Sequence, residues 1–246
     1  MACAGAIRSL LAMSEVFLER DFKAYEKHRQ DDPEYNALRL SVRRKLKAMV
    51  DALVKECKPL GTDLSAQAGL HHPYTFNAYR VREQRAYACR GAKERKKLAT
   101  FFGDALGKDA ETHYIQTVLE ACIDDQLVEA ALRVHPQAWW DGENLKKKVL
   151  NDAARLEEFC QLLRALPPGF NLKLHDWKKD HWCASAKPIE VKEMFTHYTP
   201  GNHWLHVQRQ LPKEDAVAMG PEAEAWVRAS LIALLPIYRF ILWDPS

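Results

Sequence analysis

Residues 74–97 read YTFNAYRVREQRAYACRGAKERKK, eight Lys or Arg set among Tyr74, Phe76, Tyr79 and Tyr87. Cationic side chains beside flat rings suit a phosphate-bearing, stackable partner, because the cations meet phosphate oxygens while the rings stack on bases. If residues 76–90 run as a strand, Arg80, Arg82 and Arg90 share one face, and Arg85, Tyr79 and Tyr87 the other. A row of Arg on a sheet face can hold phosphate oxygens bidentately. Lys93, Arg95, Lys96 and Lys97 would extend the positive field. The plain alternative is a solvated edge strand and helix face with no partner.

Histidines form a second candidate group. His197, His203 and His206 lie in HYTPGNHWLH, and His175 and His181 bracket DWKKD. Imidazoles ligate transition metals, and Asp176 or Asp180 would add oxygen. However, a strand turns His203 and His206 to opposite faces, and no H-E-x-x-H pairing occurs, so no metal site is assigned. A third pattern is Asp176 followed by Glu190-Val191-Lys192, the loose D…E-x-K order in which two carboxylates hold Mg²⁺ and Lys orients a water. Pro188 makes a helix start as natural there as a strand. There is no G-x-S-x-G elbow, P-loop or G-x-G-x-x-G, and ten glycines leave little room for phosphate-cradling loops.

A fourth set of residues depends on how the strands are covered. In the strand expected over 126–135, Val128, Ala130, Leu132 and Val134 share a face opposite Glu129, Arg133 and His135. Strands over 170–177 and 203–211 place Lys173, His175 and Trp177 together, and Trp204 with His206. If that sheet face is open, Arg133, His135, His175, Trp177, Trp204 and His206 line a groove there. If helices cover both faces, they are buried polar contacts.

The elements that must carry these groups follow from periodicity. Residues 14–29 read as a short helix. Asp31-Asp32-Pro33 opens a longer one with the stripe Leu38, Val42, Leu46, Met49 or Val50, Leu53 and Cys57, ended by Pro59 and Gly61. Arg39, Arg43, Arg44, Lys45 and Lys47 fall on its other side. Residues 61–73 read as loop, 76–89 as strand and 92–106 as helix. Strands over 113–122 and 126–135 flank a turn at Asp124-Asp125. One helical region runs from Asp141 to Leu166 and stops at Pro167-Pro168-Gly169. Residues 188–198 form a short helix, and the last helix starts at Gly220-Pro221. Adjacent strands without intervening helices predict an α+β fold, a largely antiparallel sheet with helices mainly on one face.

Hydrophobic and charged fractions of 47% and 28% are those of a globular protein. The net charge of +3 demands no polyanionic partner, yet residues 1–100 carry 20 Lys or Arg against 12 Asp or Glu. Six scattered cysteines with no C-x-x-C point to free thiols in a reducing compartment. No apolar run is long enough to span a membrane. Together these predict a cytoplasmic protein, with residues 1–13 a dispensable tail, Ser14 a helix cap and 14–246 a single domain.

Near the C-terminus, LPKEDAVAMGPEAEAWVRASLIALLPIYRFI resembles the end of the bacterial YktB-like family of uncharacterised proteins. FLERDFKAYEKH…RRKLKAMVDAL resembles that family's opening and HYIQTVLEACIDD its central strand. The resemblance covers about a third of the chain and fades between Leu60 and Gly107. It implies a compact α+β domain of bacterial origin. It supplies no catalytic residue, since the family has no established activity.

The expectation is therefore binding of nucleic acid or another phosphorylated ligand by the basic-aromatic segment. The alternatives are a metal-dependent hydrolase or nuclease, with Mg²⁺ its only implied cofactor, and a non-catalytic adaptor with a protein partner.

Overall fold

A computed structural model describes residues 17–107, 112–179 and 181–244. The expected tail, the Ser14 cap and Asp180 lie outside these residues. The first helix, α1 (Glu19–Lys23), is shorter than expected, and turns lead from it to α2 (Asn36–Cys57). The stripe of α2 is buried as its spacing requires: Val42, Leu46, Met49, Val50, Leu53 and Cys57.

Arg39 departs from the expected solvated face of α2. It is fully buried, and its guanidinium donates to the carbonyls of Ala24, Arg29 and Asp32 and to Asn36 Oδ1. A planar group with five donors can meet several carbonyls of an irregular stretch of chain at once.

Seven strands form one sheet: β1 (Leu64–Ala68), β2 (Gln84–Arg90), β3 (Val118–Ile123), β4 (Leu127–Val134), β5 (Phe170–Leu174), β6 (His181–Trp182) and β7 (Leu205–Pro212). Their order is β1-β2-β3-β4-β7-β5-β6, every neighbouring pair antiparallel. The expected loop over 61–73 thus contains β1, an edge strand ordered by its pairing with β2. The expected strand over 76–89 begins only at Gln84.

The remaining helices are α3 (Ala92–Gly107), α4 (Trp139–Asn151), α5 (Ala153–Arg164), α6 (Pro188–His197), α7 (Lys213–Met219), α8 (Glu222–Ala233) and α9 (Leu235–Ile241). The single region expected over 141–166 breaks at Asp152, whose carboxylate caps α5 by accepting from the N–H groups of Ala154 and Arg155. Helices α2 and α8 pack on one sheet face, with α7 beside them, while α4, α5, α6 and α9 pack among themselves. The fold is α+β with an antiparallel sheet.

The register divides the sheet cleanly. Ala86, Ala88, Leu119, Ala121, Val128, Ala130, Leu132, Val207 and Leu172 face the helices in one apolar core. The opposite face carries Arg85, Tyr87, Glu120, Cys122, Glu129, Arg133, His206 and Gln208. Five cysteines, Cys57, Cys89, Cys122, Cys160 and Cys183, are free and buried. Among the described residues no helix is long and apolar enough to cross a membrane.

Candidate functional site

The loop 69–83 joins β1 to β2 and is held at its base. Arg43 Nε of α2 and Gln84 Nε2 both donate to the Gly69 carbonyl, at 2.8 and 3.2 Å. At the far end Val81 is buried, and its N–H donates to the Gln30 carbonyl at 2.8 Å. Between these anchors a 3-10 turn, Thr75–Asn77, leads into Ala78 and Tyr79, both left-handed with φ of 50° and 56°. Two such residues in succession reverse the chain, which is why no strand forms before Gln84.

This reversal redistributes the expected row of arginines. Arg80 and Arg82 are exposed on the loop and make no ion pair among the described residues. With Arg85 of β2 they line one cavity of about 430 Å³, which also takes in Phe76, Glu83 and His113. Arg90 is not with them. It lies buried on the helix-covered side, where both Nη atoms donate to the Asp141 carboxylate. Burial alone would lower the Arg90 guanidinium, but the Asp141 carboxylate outweighs it and holds it above its ordinary value.

A second cavity, of about 1080 Å³, adjoins the first and shares Gly69, Leu70, Phe76 and His113 with it. Its other walls include Tyr114, His135, Trp139 and Trp140. Phe76, 89% exposed, therefore stands between a cavity rich in Arg and one rich in rings. The ring sequence continues outward: Phe76–Tyr74 centroids are 5.7 Å apart, Tyr74–His72 6.1 Å and His72–His71 4.9 Å.

Behind the cavities the polar sheet face is charged and buried. Glu120 has no exposure and lies between Arg133 Nε at 2.9 Å and Arg85 Nη1 at 3.7 Å. Among the described residues neither of its oxygens receives an aligned hydrogen bond. Burial pushes the Glu120 carboxyl up, yet Arg133 and Arg85 outweigh that and hold it below its usual value. Arg133 also bonds Glu129 at 2.5 Å, and Arg85 pairs with Glu83. Two arginines are thus matched by three carboxylates, so the free positive charge sits forward, on Arg80 and Arg82.

Three imidazoles flank this cluster in neutral form. Burial, with Arg85 next, pushes His113 down to about 4. Burial and Arg133 drive His206 well below its ordinary value, and burial and Arg85 lower His135. His135 Nδ1 accepts from the Gln137 N–H, which leaves Nε2 as a donor.

The groove expected on this face is assembled only in part. Trp204 stacks on His206 with centroids 4.3 Å apart and meets His175 at 5.5 Å. His135 joins the other side of the face through Tyr114. Trp177 does not join. It packs against the core, and its indole Nε1 donates to His181 Nε2 at 2.8 Å. Asp176, at φ of 60°, ends the extended chain after β5, so strand parity no longer governs residue 177.

The histidines come together as a ladder of rings, His197–His203–His175, with centroids 6.1 and 5.7 Å apart. Two of their ring nitrogens have partners elsewhere. His203 Nδ1 accepts from the Thr199 N–H, and His175 Nε2 lies 3.3 Å from Asp176. Among the described residues no three His, Cys, Asp or Glu side chains are grouped to hold a metal ion. The D…E-x-K residues are likewise separate. Asp176 meets His175, Glu190 sits in the first turn of α6 and pairs with Lys187, and Lys192 is exposed. No hydrogen bond or ion pair joins these three among the described residues.

Glu120, His113 and Tyr114 escaped the sequence reading. The signal for Glu120 was present in VLEACI, where one carboxylate interrupts an apolar strand and so requires a buried cation across the sheet. No protein-family model matches the chain, and no curated protein matches it.

Proposed function

We propose that loop 69–83 and the two cavities at its base bind a phosphate-bearing ligand with stackable rings, single-stranded nucleic acid first among them. The observation that carries this reading is the convergence of Arg80, Arg82 and Arg85 on one cavity beside Phe76. Phosphate oxygens would meet the two unpaired guanidiniums, and an unstacked base would lie against Phe76 or enter the ring-lined cavity. A duplex keeps its base faces covered and gains only the charge term.

The test is fluorescence anisotropy of labelled single- and double-stranded oligonucleotides at two salt concentrations. The expected result is tighter binding of the single strand that weakens steeply with salt. Arg80→Ala and Arg82→Ala should each reduce the salt slope by roughly one. No binding at low salt overturns the reading. Capture of a protein instead, through the exposed rings of Tyr74, Phe76 and Tyr79, would assign the surface to an adaptor.

A further inference from the structure

We propose that a box of rings between α3, α4 and the C-terminal segment is a second binding site, for a small zwitterion carrying a methylated ammonium beside a carboxylate. A cavity of about 270 Å³ opens there, lined chiefly by Phe101, Trp139, Trp140, Glu143, Lys147 and Trp243. The rings stand across one another rather than lying flat. Trp139 and Trp140 meet at 68° and Phe101 and Trp243 at 67°, with centroids 5.6 and 4.7 Å apart.

The electron-rich face of an indole attracts a cation. A methylated ammonium suits such a box because its charge is spread over methyl groups that pack on the rings. The polar groups match both ends of the ligand. Glu143 is half-buried, yet it has no hydrogen bond or ion pair among the described residues. Lys147, one helical turn further, is also without a carboxylate among them. The buried Trp140 indole N–H finds no acceptor among the described residues. Glu143 and the rings suit the ammonium, while Lys147 and the Trp140 N–H suit the carboxylate.

The box is also built in advance. The Trp243 N–H donates to Asp141 Oδ1 at 2.9 Å and its carbonyl accepts from Arg90 Nη2 at 3.1 Å, so a buried ion pair fixes one wall. Trp140 is packed on Phe102 with centroids 4.0 Å apart. Walls ordered before the ligand arrives reduce the entropy lost on binding. The site shares the Trp139 and Trp140 rings with the larger cavity, whereas Phe101, Glu143, Lys147 and Trp243 line the smaller one without lining the larger, and none of the arginines of the phosphate reading takes part.

The test is tryptophan fluorescence of the whole chain, titrated with glycine betaine, with tetramethylammonium and with 3,3-dimethylbutanoate. The last has the shape and carboxylate of the betaine with carbon in place of nitrogen. A saturable change with betaine is expected, and the carbon isostere should bind roughly tenfold more weakly. Glu143→Gln should weaken betaine and leave the isostere unchanged. Lys147→Gln should weaken betaine and strengthen tetramethylammonium. Both changes alter side chains at the surface of α4, so the fold persists. Equal binding of betaine and its isostere would overturn the proposal in favour of a plain apolar pocket. No saturable change with any of the three would reduce the box to surface packing.

Discussion

The Arg90 guanidinium holds the Asp141 carboxylate through two hydrogen bonds of 3.1 and 2.6 Å, across 51 residues of chain. The same carboxylate accepts from the N–H and hydroxyl of Thr117 and from the N–H of Trp243. One carboxylate thereby ties β2, the approach to β3, α4 and the C-terminal segment. Asp141→Ala leaves a buried guanidinium without its anion, and the expected loss is about 3–5 kcal/mol of stability. Urea denaturation measures it; a loss below 1 kcal/mol would show that water reaches Arg90.

Acid should weaken the fold in two stages. His113, at about 4, binds protons less readily folded than unfolded, and His206 and His135 are shifted the same way. Their contribution is complete above the ordinary histidine value and is lost as the pH falls below it towards the folded values. Glu120, held below its usual value, contributes fully above the ordinary glutamate value, and its contribution is lost as the pH falls below that towards the lower folded value. Urea midpoints measured from pH 8 to pH 4 should therefore decline, and His113→Gln should flatten the upper part of that decline. An unchanged profile in the variant would mean His113 is as easily protonated folded as free.

Phe76 separates binding from stability. Its ring is 89% exposed, so Phe76→Ala should leave the urea midpoint unchanged. The same change should cost single-strand binding roughly 1–3 kcal/mol if one base stacks there. Anisotropy and urea denaturation on one preparation give both values.

Gly142 is required by close approach. A Cβ at this position would come within 2.5 Å of the Tyr198 hydroxyl and 3.1 Å of Pro200 Cβ. In most helices Gly→Ala is stabilising. Here Gly142→Ala must push α4 away from the segment after α6, and a loss of about 1–3 kcal/mol is expected in thermal or urea unfolding.

The helix α2 and the pairing of β3 with β4 were legible because their periods, near 3.6 and 2, record which side is buried. The edge strand β1 was not. LSAQA has no β-branched residue and no clean alternation, and its backbone is ordered by β2. Arg39 misled for a related reason: its charge suggests solvent, but its partners are carbonyls of a turn earlier in the chain. For the site, composition located Arg80, Arg82 and Arg85. Their convergence depends on left-handed Ala78 and Tyr79, which no Gly or Asn announces. The ring-lined cavity draws on residues from four separate segments, and no local pattern joins them.

The place of β7 beside β4 bears on how the chain acquires its fold. The four strands β1 to β4 pair with near neighbours in the chain, whereas β7 arrives only after α4, α5, β5, β6 and α6 have been made. During synthesis β4 is therefore a bare edge, with Val128, Ala130, Leu132 and Val134 uncovered until α8 follows β7. That interval is the stage at which this chain is most exposed to joining another copy of itself, and chaperone demand should concentrate there.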